Sequence, residues 1–296
     1  MKFFLILLLL SSASPLLCRG AALVFRDVAT GTAKRAQPQG IDVSHFQATV
    51  NWVSVKANGV SFVYIKATEG TSSSSTIFMA PAYLTSSLSI AFLDPTFSSK
   101  YEGATTAGLI RGAYHFAHPD SSSGATQANY FLAHGGRRFH FISLIRRLSY
   151  LGHAGGWSGD GITLPGALDI ECLPLSPISS ASPWTYIIIT DNPSGAECYG
   201  LSASAMVSWI SDFSSTYHAA TTRYPVIYTT TDWWTTCTGN SAAFASNNPL
   251  WIAHYSSSIG TLPAGWSFTT FWQYADSGPN PGDQDSFNGD AAGLKR

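Results

Sequence analysis

The chain reads as an α/β protein, an irregular TIM-like (β/α) barrel in which several helices are short or missing. Three observations predict this. Apolar, β-branched or aromatic runs recur eight times along the sequence. Helix-like segments lie between several of them, which implies a parallel sheet. Nearly every run ends in polar or aromatic side chains, and a barrel gathers such ends on one face. The structural rival is an open, doubly wound sheet, but no glycine-rich phosphate loop follows the first run.

The runs are "GIDVS", "VSFVYIKA", "LIRGAYHF", "LPGALDIE", "YPVIYTTT", "PLWIAHY", "FTTFWQYA" and a weaker "DQDSFNG". They are continuously apolar, as strands buried on both faces must be. "NWVSVKANG", "KYEGATTAG" and "GATQANYFLAHGG" read as helices ending in glycine. "LSASAMVSWISDFSSTYHAAT" is the strongest helix, with Ser202 as N-cap and Ala205, Met206, Trp209, Ile210 and Phe213 at helical spacing. The later connections are poorly helical, so the barrel is irregular.

Charge is scarce. Of 296 residues 11% are charged, against about 25% in ordinary soluble domains. The net charge of −1 gives no reason to expect a nucleic acid or an anionic surface as partner. Nine Trp, 13 Tyr and 17 Phe in a weakly charged chain fit a secreted protein that handles neutral polar ligands, sugars above all. Lys2, the run "FFLILLLL" and the small residues "SSAS" form a signal peptide over residues 1–20 that is too short to span a bilayer. Residues 21–35 read as a pro-segment ending in the pair Lys34-Arg35, with a single domain over 36–296. Once the signal is cut, no membrane contact is expected, and a monomer is assumed. Of the four cysteines, Cys18 lies in the signal region. Cys198 and Cys237 are expected to form a disulfide between the loop before the long helix and the loop after "TTTDWW", leaving Cys172 outside the pair.

The chemistry concentrates at "GALDIECLPLSP". Asp169 and Glu171, two apart on a strand, point to the same side about 6.6 Å apart along the chain. In a semi-apolar pocket such a pair cannot ionise freely, and one pKa rises. A protonated acid beside a carboxylate is what glycosidic cleavage requires. Glu171, longer and further out, is the better proton donor; Asp169 is the better electrostatic partner. A purely structural pair bound to Lys66 is the bland alternative. His45 and His115 read as packing or hydrogen-bonding residues, since no His/Cys spacing marks a metal site, and no cofactor is implied.

With these residues in view, the chain resembles glycoside hydrolase family 25, the CH-type lysozymes, in a fungal-like secreted form. "GIDVSHFQ", "FVYIKATEGT", "GLIRGAYHFAHP", "LPGALDIE", "YPVIYTTTDWW", "LWIAHY", "FWQYADSG" and "DQDSFNGD" occur in the family's order from about Gly40 to the end. The resemblance implies hydrolysis of the β-1,4 bond between N-acetylmuramic acid and N-acetylglucosamine, so bacterial peptidoglycan strands are the implied partner. It implies Glu171 as general acid/base, Asp169 as its partner, and Asp42 and Asp285 as the rest of an acidic cluster, with Asp283 the rival for the last place. Tyr64, Lys66, Tyr114, Tyr228, Trp251, Tyr255, Trp272 and Gln273 are implied to line the cleft. Acids two apart suit assistance by the sugar's own 2-acetamido group with net retention; direct displacement by water with inversion is the alternative.

Three stretches interrupt the family pattern: roughly 72–93, 137–154 and 172–190. They read either as loops around the cleft or as translated introns, and "YIIIT" and "FISLI" favour introns, since exposed segments of that kind aggregate. Two other functions compete with hydrolysis of cell walls. One is a catalytically impaired barrel that binds peptidoglycan or chitin. The other is a chitinase-like glycosidase, disfavoured because Ala167 stands where such enzymes carry a further acid.

Overall fold

The computed structural model describes residues 37–71, 92–135, 159–172 and 196–296. The signal peptide and pro-segment expected over 1–35 lie outside them, as do nearly all of the three interrupting stretches. Eight strands close into a barrel: β1 (Gln39–Val43), β2 (Val60–Glu69), β4 (Ile110–Phe116), β5 (Ala167–Asp169), β6 (Val226–Thr229), β7 (Leu250–Ala253), β8 (Phe271–Ala275) and β9 (Asp283–Phe287). A two-residue strand, β3 (Phe92–Leu93), pairs antiparallel with the end of β2 outside the ring. The parallel β1–β2 pairing closes the barrel. The eighth strand supplies the irregularity: β9 runs antiparallel to both β8 and β1.

Helices α1 (Trp52–Ala57), α2 (Phe97–Thr106), α3 (Gly124–His134), α4 (Ala203–Thr221) and α5 (Thr231–Thr238) accompany the earlier strands, and no α-helix separates β7, β8 and β9. Ser202 caps α4 as its sequence predicts, its Oγ accepting from the Ala205 amide at 3.3 Å. Helix α5 departs from the sequence pattern: the run "YPVIYTTT" reads as strand to its end, yet the strand stops at Thr229. Thr230 then turns its Oγ onto the Trp233 amide at 3.1 Å, and Asp232 lies in the positive first turn, which together start a helix. Cys237 therefore sits within α5 rather than in a loop after it. The expected Cys198–Cys237 disulfide is present, with Cα atoms 5.1 Å apart.

Alternation along the strands divides the apolar residues into two layers. Outward-facing Ile41, Val43, Val63, Ile65, Leu168 and Ile227 pack against Phe131 of α3 and Met206, Ile210, Phe213 and Tyr217 of α4. Inward-facing Phe62, Tyr64, Tyr114, Tyr228, Trp251 and Phe271 fill the barrel. Two strand glycines make room for this aromatic filling. A Cβ at Gly40 would lie 2.2 Å from the Phe62 ring, and one at Gly112 would lie 2.4 Å from the Tyr64 ring.

Candidate active site

At one end of the barrel the inward positions change from rings to acids. Asp42 follows Gly40 on β1, Asp169 follows Ala167 on β5, and Asp283 and Asp285 lie on β9. Glu171 stands just beyond β5, in phase with Asp169, because Leu168 and Ile170 between them face the outer core. The register sets Asp42 opposite Asp283 and Gly40 opposite Asp285, so the late acids are brought to the first strand. Asp42, Asp169, Glu171 and Asp283 line one cleft of about 210 Å³ together with Lys66, Tyr114, Tyr228, Trp251 and Gln273. Asp285 lies one layer deeper, fully buried.

Gln273 organises one side of this cluster. Its Oε1 accepts from the hydroxyls of Tyr228 at 2.8 Å and Tyr255 at 2.9 Å. The amide nitrogen is thereby turned toward the acids, donating to Asp42 Oδ2 at 2.7 Å and Asp283 Oδ2 at 3.1 Å. Trp251 donates its indole N–H to Asp285 Oδ1 at 2.8 Å. On the opposite side Lys66 pairs with Glu69, whose other oxygen lies 2.9 Å from His118 Nε2. Lys66 also sits 4.8 Å above the Phe116 ring. Asp169 Oδ1 is buried and accepts no hydrogen bond among the described residues.

Burial governs the electrostatics. Desolvation, then the negative charge of Glu171, holds Asp169 well above the usual carboxylate range, against the pull of Lys66. Glu171 is raised to about 8 by desolvation first and Asp283 second, again opposed by Lys66. Desolvation and Asp285 raise Asp42. Asp283 and Asp285 are each raised to about 8, chiefly by burial. A cluster of this kind retains protons at neutral pH, and each acid's ionisation depends on its neighbours.

The remaining expected site residues are placed as follows. Tyr255 is 44% exposed and reaches the cluster through Gln273. Tyr64 is fully buried below the acids, stacked on Trp251 with ring centres 4.7 Å apart. Trp272 stands apart: Phe271 and Gln273 on either side of it point inward, so its indole lies on the outer face and donates to the His254 carbonyl at 2.9 Å. His115 is held between Thr68 at 2.8 Å and Gln127 at 2.9 Å, behind the sheet. Glu69 stands out in the sequence as an acid at the end of a run, whereas nothing in it singles out His118 or Phe46. Phe46 lines the cleft wall and is 72% exposed, and only its place just after Asp42 and Ser44 could have marked it.

Known proteins share both sequence and architecture. The model of the family "Glycosyl hydrolases family 25" matches residues 41–83, 80–144 and 145–283. N,O-diacetylmuramidase of Chalaropsis sp is 44% identical over 262 residues, 87% of this chain and 97% of the relative. Lysozyme M1 of Streptomyces globisporus is 44% identical over 269 residues, 89% of this chain and 72% of the relative. The solved structure of a muramidase from Acremonium alcalophilum superposes with a TM-score of 0.67 at 50% identity, covering 88% of this chain and 97% of the other. An acid-rimmed mouth on a barrel closed by one reversed strand, matched along nearly the whole described length, places this chain in glycosyl hydrolase family 25.

Proposed function

We propose that this protein is a secreted lysozyme that cleaves the β-1,4 bond between N-acetylmuramic acid and N-acetylglucosamine in bacterial peptidoglycan. The observation that carries the reading is the pair Asp169 and Glu171, facing one cleft from the same strand end, where burial and the neighbouring acids raise both carboxyls. The domain spans 36–296 and acts as a monomer after loss of its signal peptide and pro-segment.

In the working state the proton lies on Glu171, the less buried of the two and beyond the end of β5, and the charge on Asp169, which Lys66 favours. Glu171 gives its proton to the glycosidic oxygen as the C1–O bond breaks. The carbonyl oxygen of the substrate's 2-acetamido group closes on C1, forming an oxazolinium ion with retained electrons on the leaving oxygen. Asp169 Oδ1, buried and without a donor among the described residues, accepts the acetamido N–H and stabilises that cation. Water then attacks C1 as the ring C1–O bond of the oxazolinium breaks and its electrons restore the acetamido group, while Glu171 takes the water's proton, giving net retention. Asp42 and Asp285, whose proton affinities burial raises, complete the acidic cluster beneath the reacting centre. Tyr255, the exposed ring of the set, offers a face to the sugars, Tyr114, Tyr228 and Trp251 form the apolar lining below it, and Lys66 and Gln273 fix the polar walls.

The test is turbidity loss of a bacterial wall suspension. Glu171→Gln keeps the shape of the side chain and removes the transferable proton, so clearing should slow by about 10²–10⁴-fold. Equal clearing by both proteins would show that another acid does the work.

A further inference from the structure

We infer that Tyr199 is a positioning residue for Glu171, and that the Cys198–Cys237 disulfide is the anchor that lets it act. The inference rests on the proposed role of Glu171 as proton donor.

Asp169 is held by its strand, and the Ile170 amide makes one further bond, to the Tyr228 carbonyl at 3.0 Å. Glu171 lies past the end of β5, so the residue whose placement matters most is beyond the regular ladder. Its main-chain carbonyl accepts instead from the Tyr199 hydroxyl at 2.8 Å. A shift of that carbonyl carries the Glu171 Cα and carboxyl with it, and a misplacement near 1 Å can slow a reaction about a hundredfold.

Tyr199 is built to hold still. It is buried at 2% exposure, and its ring stands edge-on to His118, the partner of Glu69. Its φ is +55°, a left-handed conformation that a bulky residue rarely adopts and that clusters at functional sites when the surroundings enforce it. Those surroundings are specific. The Tyr199 amide donates to the Ala196 carbonyl at 2.9 Å, and the Leu201 amide to the Cys198 carbonyl at 2.9 Å. Trp233 of α5 donates its indole N–H to the Glu197 carbonyl at 2.9 Å. Cys198 is bonded to Cys237 in the same helix. Residues 197–199 are thus fastened to α5 on one side, and their last member grips the acid-bearing segment on the other.

Tyr199→Phe keeps the ring and removes only the hydroxyl. We expect kcat on soluble wall fragments to fall about tenfold, the value of one lost hydrogen bond, with KM within twofold and a melting temperature lowered by no more than about 2–4 °C. Cys198→Ala/Cys237→Ala should lower kcat to a similar extent, and adding Tyr199→Phe to it should lower kcat little further, because both changes release the same contact. Wild-type kcat in Tyr199→Phe, or a fall in KM alone, overturns the proposal. Fully additive losses overturn the role of the disulfide. If the cysteine-free protein does not fold, the kcat-to-KM split in Tyr199→Phe alone decides. Normal activity in Glu171→Gln would be a different failure, that of the mechanism beneath.

Discussion

The two ends of the barrel's interior are built from opposite chemistry on the same strands. The floor is aromatic: Phe62, Tyr64, Trp251, Phe271 and Phe287 meet at ring-centre distances of 4.7 to 6.4 Å. The mouth is acidic: Asp42, Asp169, Asp283 and Glu171 face the cleft, with Asp285 just beneath. The step from one to the other is two residues, from Gly40 to Asp42 and from Ala167 to Asp169. The floor is also the cause of the mouth's electrostatics. Rings that exclude water from below leave the acids poorly solvated, and desolvation is the first cause of the upward shift in every one of them. Trp251 belongs to both ends, stacking on Tyr64 and donating to Asp285.

The sharpest way to break this comparison is to remove part of the floor. Phe62→Ala should cost about 3–5 kcal/mol of stability, the range for deleting a buried ring. At temperatures where the variant stays folded, kcat should remain within about twofold, since the acids and Gln273 keep their contacts; thermal melts beside wall-clearing rates test both statements. A collapse of kcat in the folded variant would show that floor and mouth are not separable.

A subtler change acts on the mouth. Its carboxyls have folded-state pKa values above their unfolded ones, so the folded chain binds more protons over the intervening range. The stability they provide is therefore present at acid pH and is lost as pH rises from about 4 toward about 8. Asp285→Asn removes one of these groups and leaves its Trp251 donor satisfied by the amide oxygen. The melting temperature at pH 8 should rise by about 2–4 °C, equivalent to roughly 1 kcal/mol, and the variant's stability should depend less steeply on pH. A steeper dependence would mean that Asp285 holds its proton less tightly in the folded protein than in the unfolded chain. The smallest effect belongs to the outer layer. Ser202→Ala should cost about 1 kcal/mol through its lost helix cap without altering kcat, and a change in kcat would link the outer helices to the mouth.

Much of this arrangement was legible in the sequence for a simple reason. In a chain so poor in charge, acids at the ends of apolar runs stand out, Asp169 and Glu171 above all, and the family resemblance adds Asp42 and Asp285 to them. Trp272 shows where the reading fell short, since alternation from Gln273 already turns it outward. Glu69 is legible as an acid at the end of a run, but its pairing with Lys66 is not. It lies three residues from Lys66, the wrong parity for a regular strand, but a register shift between Lys66 and Thr68 returns it to the same face. Tyr199 could not be found from spacing at all. Its contact with Glu171 depends on a left-handed backbone and on a fold that brings residues 28 positions apart together.

The reversed strand β9 carries a consequence for how the molecule comes to exist. Because it alone bridges β8 and β1, both neighbours present raw hydrogen-bonding edges until it arrives. The bond from Gln273 to Asp42 spans 231 positions, a separation that makes assembly slow. Catalytic competence is thus among the last properties the nascent polypeptide acquires, and a chain cut short after Ala275 would be left open-sided and prone to stick to its own kind.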